Sequence, residues 1–280
     1  MSALGTTDHP SGTEWSRTTD HEPGTEWSGA AVVTGAAGGI GAAVATALVA
    51  TGVPVALLDR EPVPLWELAD ELGGSRGGVM ALPVDVTDSI DVDTAIAKVE
   101  AELGPIAYLV NGAGILRSGP APELSDEEWD ATLAVNAGGV FRVSRAVARQ
   151  MIPRKRGSIV TIASNAALTP RTSMAAYAAS KAASLMFTKC LGLELARHGI
   201  RCNTVAPGST RTPMLTALQG DAAERASVDG VPEAYRVGIP LGRIAEPAHI
   251  ADAVLFLLSE RSDHITLQDL TVDGGAALGV

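Results

Sequence analysis

From Ala30 onward, seven short apolar runs alternate with longer segments, and this alternation constrains the fold more than any other feature. The runs are AAVVT (residues 30–34), PVALLD (54–59), VMALPVDV (79–86), IAYLVNGAG (106–114), SIVTIAS (158–164), IRCNTVAPG (200–208) and ITLQDLTVDGG (265–275). Each is short and rich in branched apolar residues, which suits a strand buried on both faces. Residues 35–52, 89–104, 125–151, 175–197 and 247–259 carry apolar residues at helical spacing, with Ser89 as a predicted N-cap. Strands alternating with helices of this length imply crossover connections and a mostly parallel, doubly wound sheet. The expectation is an α/β fold: one Rossmann-type domain with a seven-stranded sheet over residues 30–280.

Composition agrees. Hydrophobic residues make up 46% of the 280-residue chain but aromatics only 4%, so the core is built from aliphatic side chains. A net charge of −11 argues against nucleic acid as a partner, because phosphate backbones require a concentrated basic face. The basic run PRKRG (153–157) reads as a solvated helix end. No apolar stretch is long enough to span a membrane, and no secretion signal opens the chain, so a cytoplasmic protein is expected. Cys190 and Cys202 lack metal-ligand spacing and read as buried thiols.

The first 29 residues differ in kind. TTDHPSGTEWSR (6–17) is followed by its near copy TTDHEPGTEWSG (18–29), polar and rich in turn formers. Two twelve-residue copies are too few for a solenoid, and a disordered or extended tail is expected. One histidine per copy, His9 and His21, provides no second ligand, so no metal is expected.

In a doubly wound sheet, ligands collect beyond the carboxyl ends of the strands, where strand order reverses. The informative residues should therefore follow the strands. After the first comes TGAAGGIG, with Gly35, Gly39, Ile40 and Gly41. Glycines let the backbone approach a pyrophosphate, and the next helix offers free N–H groups and the positive end of its dipole. The second strand ends in Asp59, 24 residues past Gly35. A carboxylate there accepts ribose hydroxyls and repels a 2′-phosphate, which favours NAD; the adjacent Arg60 would favour NADP. Asp85 and Val86 end the third run and are expected near the adenine. Asn111, Ala113 and Gly114 end the fourth, under the cofactor.

Ser164 closes the fifth run, and Tyr177 and Lys181 follow in SNAALTPRTSMAAYAASKAA (164–183). Four apart on a helix, Tyr177 and Lys181 project from one face. A phenol titrates at about 10, too high for a base at neutral pH, and a neighbouring ammonium should lower that value. Ser164 would then hold the substrate oxygen near the phenolate.

TGAAGGIG, NGAG, Asn136, Ser164, YAASK and PGSTRT together resemble the short-chain dehydrogenase/reductase family over residues 30–280. The resemblance implies a catalytic tetrad of Asn136, Ser164, Tyr177 and Lys181. It also implies that Lys181 anchors the nicotinamide ribose and that Asn136 interrupts a helix on a water-linked proton path to Lys181. Pro207, Gly208 and Thr212 would lie beside the nicotinamide carboxamide, and the enzyme would be a homotetramer.

AGILR, GLELA, RCNTVAPGST, GIPLGRIAEP and HITLQDLTVDGG are similar to the subfamily of 2,3-dihydro-2,3-dihydroxybenzoate dehydrogenases, which make catechol acids for siderophores. That likeness implies an anionic cyclic substrate oxidised to an aromatic product, with Arg117 or Arg171 facing its carboxylate. Leu168, Arg211 and Met214 stand where the subfamily pattern differs, within or near a predicted lid at 209–240. Three alternatives stay open: the 2-amino analogue of the substrate, a ketone or 3-oxoacyl reductase of the same family, and a catalytically silent dinucleotide-binding regulator.

Overall fold

The computed structural model describes residues 27–73, 78–219 and 221–279. Among these, seven strands form one all-parallel sheet: β1 (Ala30–Thr34), β2 (Val55–Asp59), β3 (Val79–Pro83), β4 (Ile106–Asn111), β5 (Gly157–Ile162), β6 (Ile200–Pro207) and β7 (Asp269–Val272). The order is β3-β2-β1-β4-β5-β6-β7, so the direction of winding reverses between β1 and β4.

Helices cover both faces, as two-sided strands require. Successive side chains of a strand point to opposite sides, so Ala31 and Val33 enter one core while Val32 enters the other. The first core packs α1 (Gly39–Ala50), α2 (Pro62–Leu72) and α9 (Pro247–Leu258) on the sheet through Leu48, Leu65, Ile250 and Leu257. The second packs α3 (Ser89–Glu102), α5 (Val140–Met151) and α6 (Ala175–Leu195) through Ile96, Val147, Met151 and Leu195. Each fully buried Leu or Ile contributes about 1.5–3 kcal/mol. Helix α2 is not among the segments that the sequence pattern marks as helical; its Pro62 sits in the first turn, where a missing N–H does no harm.

Three expectations are corrected. The N-cap of α3 is Asp88 rather than Ser89, its carboxylate accepting from the amides of Ile90 (2.7 Å) and Asp91 (3.2 Å). The single helix read across 125–151 is α4 (Asp126–Leu133), a π-helical segment (Ala134–Gly139) and α5, opened by a capping box between Ser125 and Glu128. Of the two thiols, Cys202 is buried as expected and Cys190 is exposed.

The segment after β6 carries α7 (Pro213–Gln219) and α8 (Asp221–Asp229) before α9. Most of the N-terminal repeat lies outside the described residues. The end of its second copy does not: Trp27 packs edge-on against Tyr108 at 5.1 Å between centroids, and the Ser28 amide donates to the Tyr108 hydroxyl at 3.3 Å. These last residues of the predicted tail are thus tied to β4.

Candidate active site

One cavity of about 880 Å³ opens at the carboxyl ends of the strands, over the β1/β4 reversal. Its wall includes the turn after β1 (Gly35, Gly38, Gly39, Ile40 and Gly41), the end of β2 (Asp59 and Arg60), and Asp85 and Val86 after β3. Further along come Ala113 and Gly114, then Ser164, Arg171, Tyr177 and Lys181, and finally Pro207, Gly208, Thr212 and Met214.

The dinucleotide end is made by backbone. Gly35 has φ +68°, and a Cβ at Gly41 would stand 2.0 Å from the Gly35 carbonyl oxygen, so side chains are excluded where the turn doubles back. Helix α1 begins after Gly38 with no side-chain cap and no acid in its first turn. Its first amides and the positive end of its dipole therefore remain open to an anion. The Asp59 carboxylate is oriented by two amides, accepting from Ala37 at 3.0 Å and Glu61 at 3.1 Å. Arg60 is exposed and pairs with Glu61 at 3.3 Å. Asp85 accepts from the amide (2.8 Å) and hydroxyl (2.7 Å) of Thr87, which hold its carboxyl below the usual range. A glycine cradle, an uncapped helix start and an acid closing β2 fit a nicotinamide dinucleotide.

The catalytic candidates converge at the other end. Ser164 follows β5 and begins a 3₁₀ turn (Asn165–Ala167), its hydroxyl accepting from the Ala166 amide at 3.1 Å. Ser164 and Tyr177, thirteen residues apart in the chain, meet on the same cavity wall. Lys181 is 5% exposed; its ammonium donates to the Ile162 carbonyl at 2.8 Å and lies 5.8 Å from the centre of the Tyr177 ring.

The expected acidification of Tyr177 by Lys181 is corrected at the level of the protein's own groups. Burial raises the phenol, opposed only in part by the nearby Ser164 hydroxyl, and burial brings Lys181 down to about 8. For both groups desolvation, which penalises the charged form, is the largest cause.

Asn136 occupies the π-helical segment and is fully buried. Its amide oxygen accepts from the Ile115 amide (2.8 Å), while its nitrogen donates to the Ile115 carbonyl (2.9 Å) and Ser180 hydroxyl (2.9 Å). It braces the loop after β4 against α6 and stands behind the cavity wall, a positioning residue. Asn111 is also beneath the wall: it donates to Ser144 (2.9 Å) and Thr161 (3.3 Å), pinning β4 to α5 and β5. As the last residue of β4, Asn111 faces α5, while Ala113 and Gly114 lie past the end of the strand and line the cavity.

Three of the proposed substrate residues are placed elsewhere. Arg117 is exposed outside the cavity. Leu168 faces a separate shallow hollow beside Asp269, Thr271 and Gly279. Arg211 is drawn outward by two carboxylates, donating to Glu224 from both terminal nitrogens (2.6 and 2.8 Å) and to Glu246 from Nε (2.9 Å). Arg171 and Met214 do line the cavity.

Sequence reasoning missed Arg236, a cavity-wall arginine inside the predicted lid. Its Nη2 donates to the Ser209 hydroxyl (2.9 Å) and to the buried Ser227 hydroxyl (3.0 Å). Partial burial lowers both Arg171 and Arg236; Asp273 offsets this for Arg171, and Arg171 adds to it for Arg236. Membership of the lid segment was the one hint the sequence carried. Among the described residues no helix is long and apolar enough to cross a membrane.

The family model for short chain dehydrogenases matches residues 29–223. Over 252 residues the chain is 53% identical to a 2,3-dihydro-2,3-dihydroxybenzoate dehydrogenase of Bacillus subtilis (strain 168), covering 89% of this chain and 96% of that one. A 2,3-dihydro-2,3-dihydroxybenzoate dehydrogenase of Escherichia coli (strain K12) is 44% identical, with 88% and 96% covered. A crystal structure of a short-chain type dehydrogenase/reductase from Mycobacterium marinum superposes with a TM-score of 0.81 at 33% identity, covering 89% of this chain and 95% of that one.

Proposed function

This chain belongs to the short chain dehydrogenase family, an oxidoreductase family served by a nicotinamide dinucleotide, and on that premise we propose that it oxidises 2,3-dihydro-2,3-dihydroxybenzoate to 2,3-dihydroxybenzoate with NAD. The observation that carries the reading is the meeting of Ser164, Tyr177 and Lys181 in one cavity with the glycine turn and Asp59. The 53% identity to a relative of that name supports the choice of substrate.

Gly35, Gly39, Ile40, Gly41 and Asp59 would hold NAD, which when bound would supply the hydride acceptor and a positive charge at the catalytic end of the cavity. Ser164 donates to the substrate oxygen and keeps it within reach of Tyr177. Tyr177 takes the hydroxyl proton as a general base. Lys181, held on the Ile162 carbonyl, stabilises the phenolate across the 5.8 Å that separates it from the ring. The alcohol proton would pass to Tyr177, and the ring ketone left once the cofactor had supplied its oxidising power would tautomerise to the aromatic diol. Asn136 keeps the loop after β4 and helix α6 in register around Lys181. The carboxylate of Asp59 at the end of β2 favours NAD over NADP, by accepting ribose hydroxyls and repelling a 2′-phosphate.

NAD as oxidant goes with a cytoplasmic enzyme serving the synthesis of catechol acids. A homotetramer is supported by exposed Phe141 on α5 and Met186 and Leu193 on α6, which leave apolar surface uncovered. Light scattering in solution measures this directly, and a monomer overturns it.

The test of function mixes enzyme, NAD and 2,3-dihydro-2,3-dihydroxybenzoate, with the 2-amino analogue in parallel, and follows NADH absorbance. Rapid NADH formation with the dihydroxy compound is expected. Turnover only of a ketone with NADPH overturns the reading.

A further inference from the structure

We propose that Arg171 and Arg236 together form the carboxylate clamp of this enzyme, with Arg236 as its specificity-determining member. The proposal deepens the function above and rests on its assignment of a ring carboxylate as substrate. Both guanidinium groups face the cavity that holds Ser164 and Tyr177. They come from separate segments: Arg171 from the loop between β5 and α6, Arg236 from the segment between α8 and α9.

Two like charges in a partly buried wall repel, and each loses hydration, so the pair calls for an anion. The protein does not provide one among its described residues. Asp273, whose charge reaches Arg171, already accepts from Asn165 (3.2 Å), Gly275 (2.9 Å) and Ala277 (2.8 Å). Glu224 and Glu246 are held by Arg211. Neither Arg171 nor Arg236 has an ion-pair partner among the described residues. The counter-charge must arrive with the ligand.

Arg236 is also set in place beforehand. Its backbone closes a short loop with Val231 through two hydrogen bonds, Val231 amide to Arg236 carbonyl (2.8 Å) and Arg236 amide to Val231 carbonyl (3.1 Å). Ser209 and Ser227 hold Nη2, which leaves Nη1 and Nε of Arg236 with no partner among the described residues. A guanidinium fixed this way has little rotational freedom to lose when it grips a carboxylate. The clamp selects cyclic monocarboxylates over neutral diols and ketones of similar size.

The experiment measures binding of 2,3-dihydroxybenzoate and of catechol, which lacks the carboxylate, to wild type, Arg236→Gln, Arg236→Lys and Arg171→Gln in the presence of NADH. Steady-state constants and NAD affinity are measured on the same proteins. Arg236→Gln is expected to weaken 2,3-dihydroxybenzoate binding at least tenfold and to raise KM with little change in kcat. Catechol and NAD affinities should stay as in wild type, and Arg236→Lys should recover part of the loss. Equal weakening of 2,3-dihydroxybenzoate and catechol by Arg236→Gln, or no weakening of either, overturns the clamp. If wild type fails to oxidise the dihydro compound, the substrate assignment falls. The clamp is then judged on salicylate, which wild type must still bind more tightly than Arg236→Gln does.

Discussion

At one end of the cavity the wall is backbone, and at the other it is side chains. The dinucleotide end is a continuous stretch from Gly35 to Gly41, with Asp59 oriented by two amides. The substrate end gathers Ser164, Arg171, Tyr177 and Arg236 from segments up to 72 residues apart (236 less 164). Backbone recognition needs small residues in consecutive order, so it tolerates little change. Side-chain recognition needs only that the loops meet, so the loops can be re-equipped without disturbing the sheet.

Four substitutions separate the two ends. The largest effect is expected at their junction: Tyr177→Phe should lower kcat by roughly 10³-fold, the scale of lost general-base catalysis, while NAD affinity stays nearly unchanged. A variant keeping more than about a tenth of the rate would remove Tyr177 from the role of base. Next is Gly41→Ala, whose Cβ would press within 2.0 Å of the Gly35 carbonyl oxygen. The turn must shift, costing about 1–3 kcal/mol of stability and weakening NAD by about tenfold or more. Substrate KM at saturating NAD should move far less; a parallel rise in both would mean that the two ends are not independent.

Asp59→Ala tests the same end by charge instead of shape. It should shift the NAD-to-NADP preference by roughly tenfold toward NADP, about the worth of one charge-assisted hydrogen bond. A parent enzyme that already uses both cofactors equally would contradict this role for Asp59. The smallest effect is expected for Arg211→Ala, which releases the exposed ties to Glu224 and Glu246 that brace α8 and the start of α9. Exposed pairs contribute little, so a rise in substrate KM of about threefold with unchanged NAD affinity is expected. Weakened NAD binding would show that the brace serves the cofactor end as well.

The comparison also explains what could be read in advance. The seven strands, the glycine turn, Asp59 and the Ser164, Tyr177 and Lys181 set follow from spacing along the chain, because strand ends and one helical turn are local geometry. Asn111 was read as facing the cofactor since it ends a strand, but its side chain faces α5. Arg117 shares a loop with Gly114 and still points to solvent, because three residues of irregular backbone are enough to lose direction. Arg211 was placed near the substrate by its position in the lid. Its actual neighbours, Glu224 and Glu246, are brought to it only by the folding of that segment.

By itself, then, the amino-acid order determined the sheet, the glycine turn after β1 and the spacing that sets Tyr177 and Lys181 on one face of α6. Each depends on contacts between residues close in the chain or on a periodicity the chain displays. Only the tertiary structure decided which cations line the cavity. That choice depends on which carboxylates other arginines have already engaged, and on where Ser209 and Ser227 hold Arg236, relations between distant segments that no local pattern records.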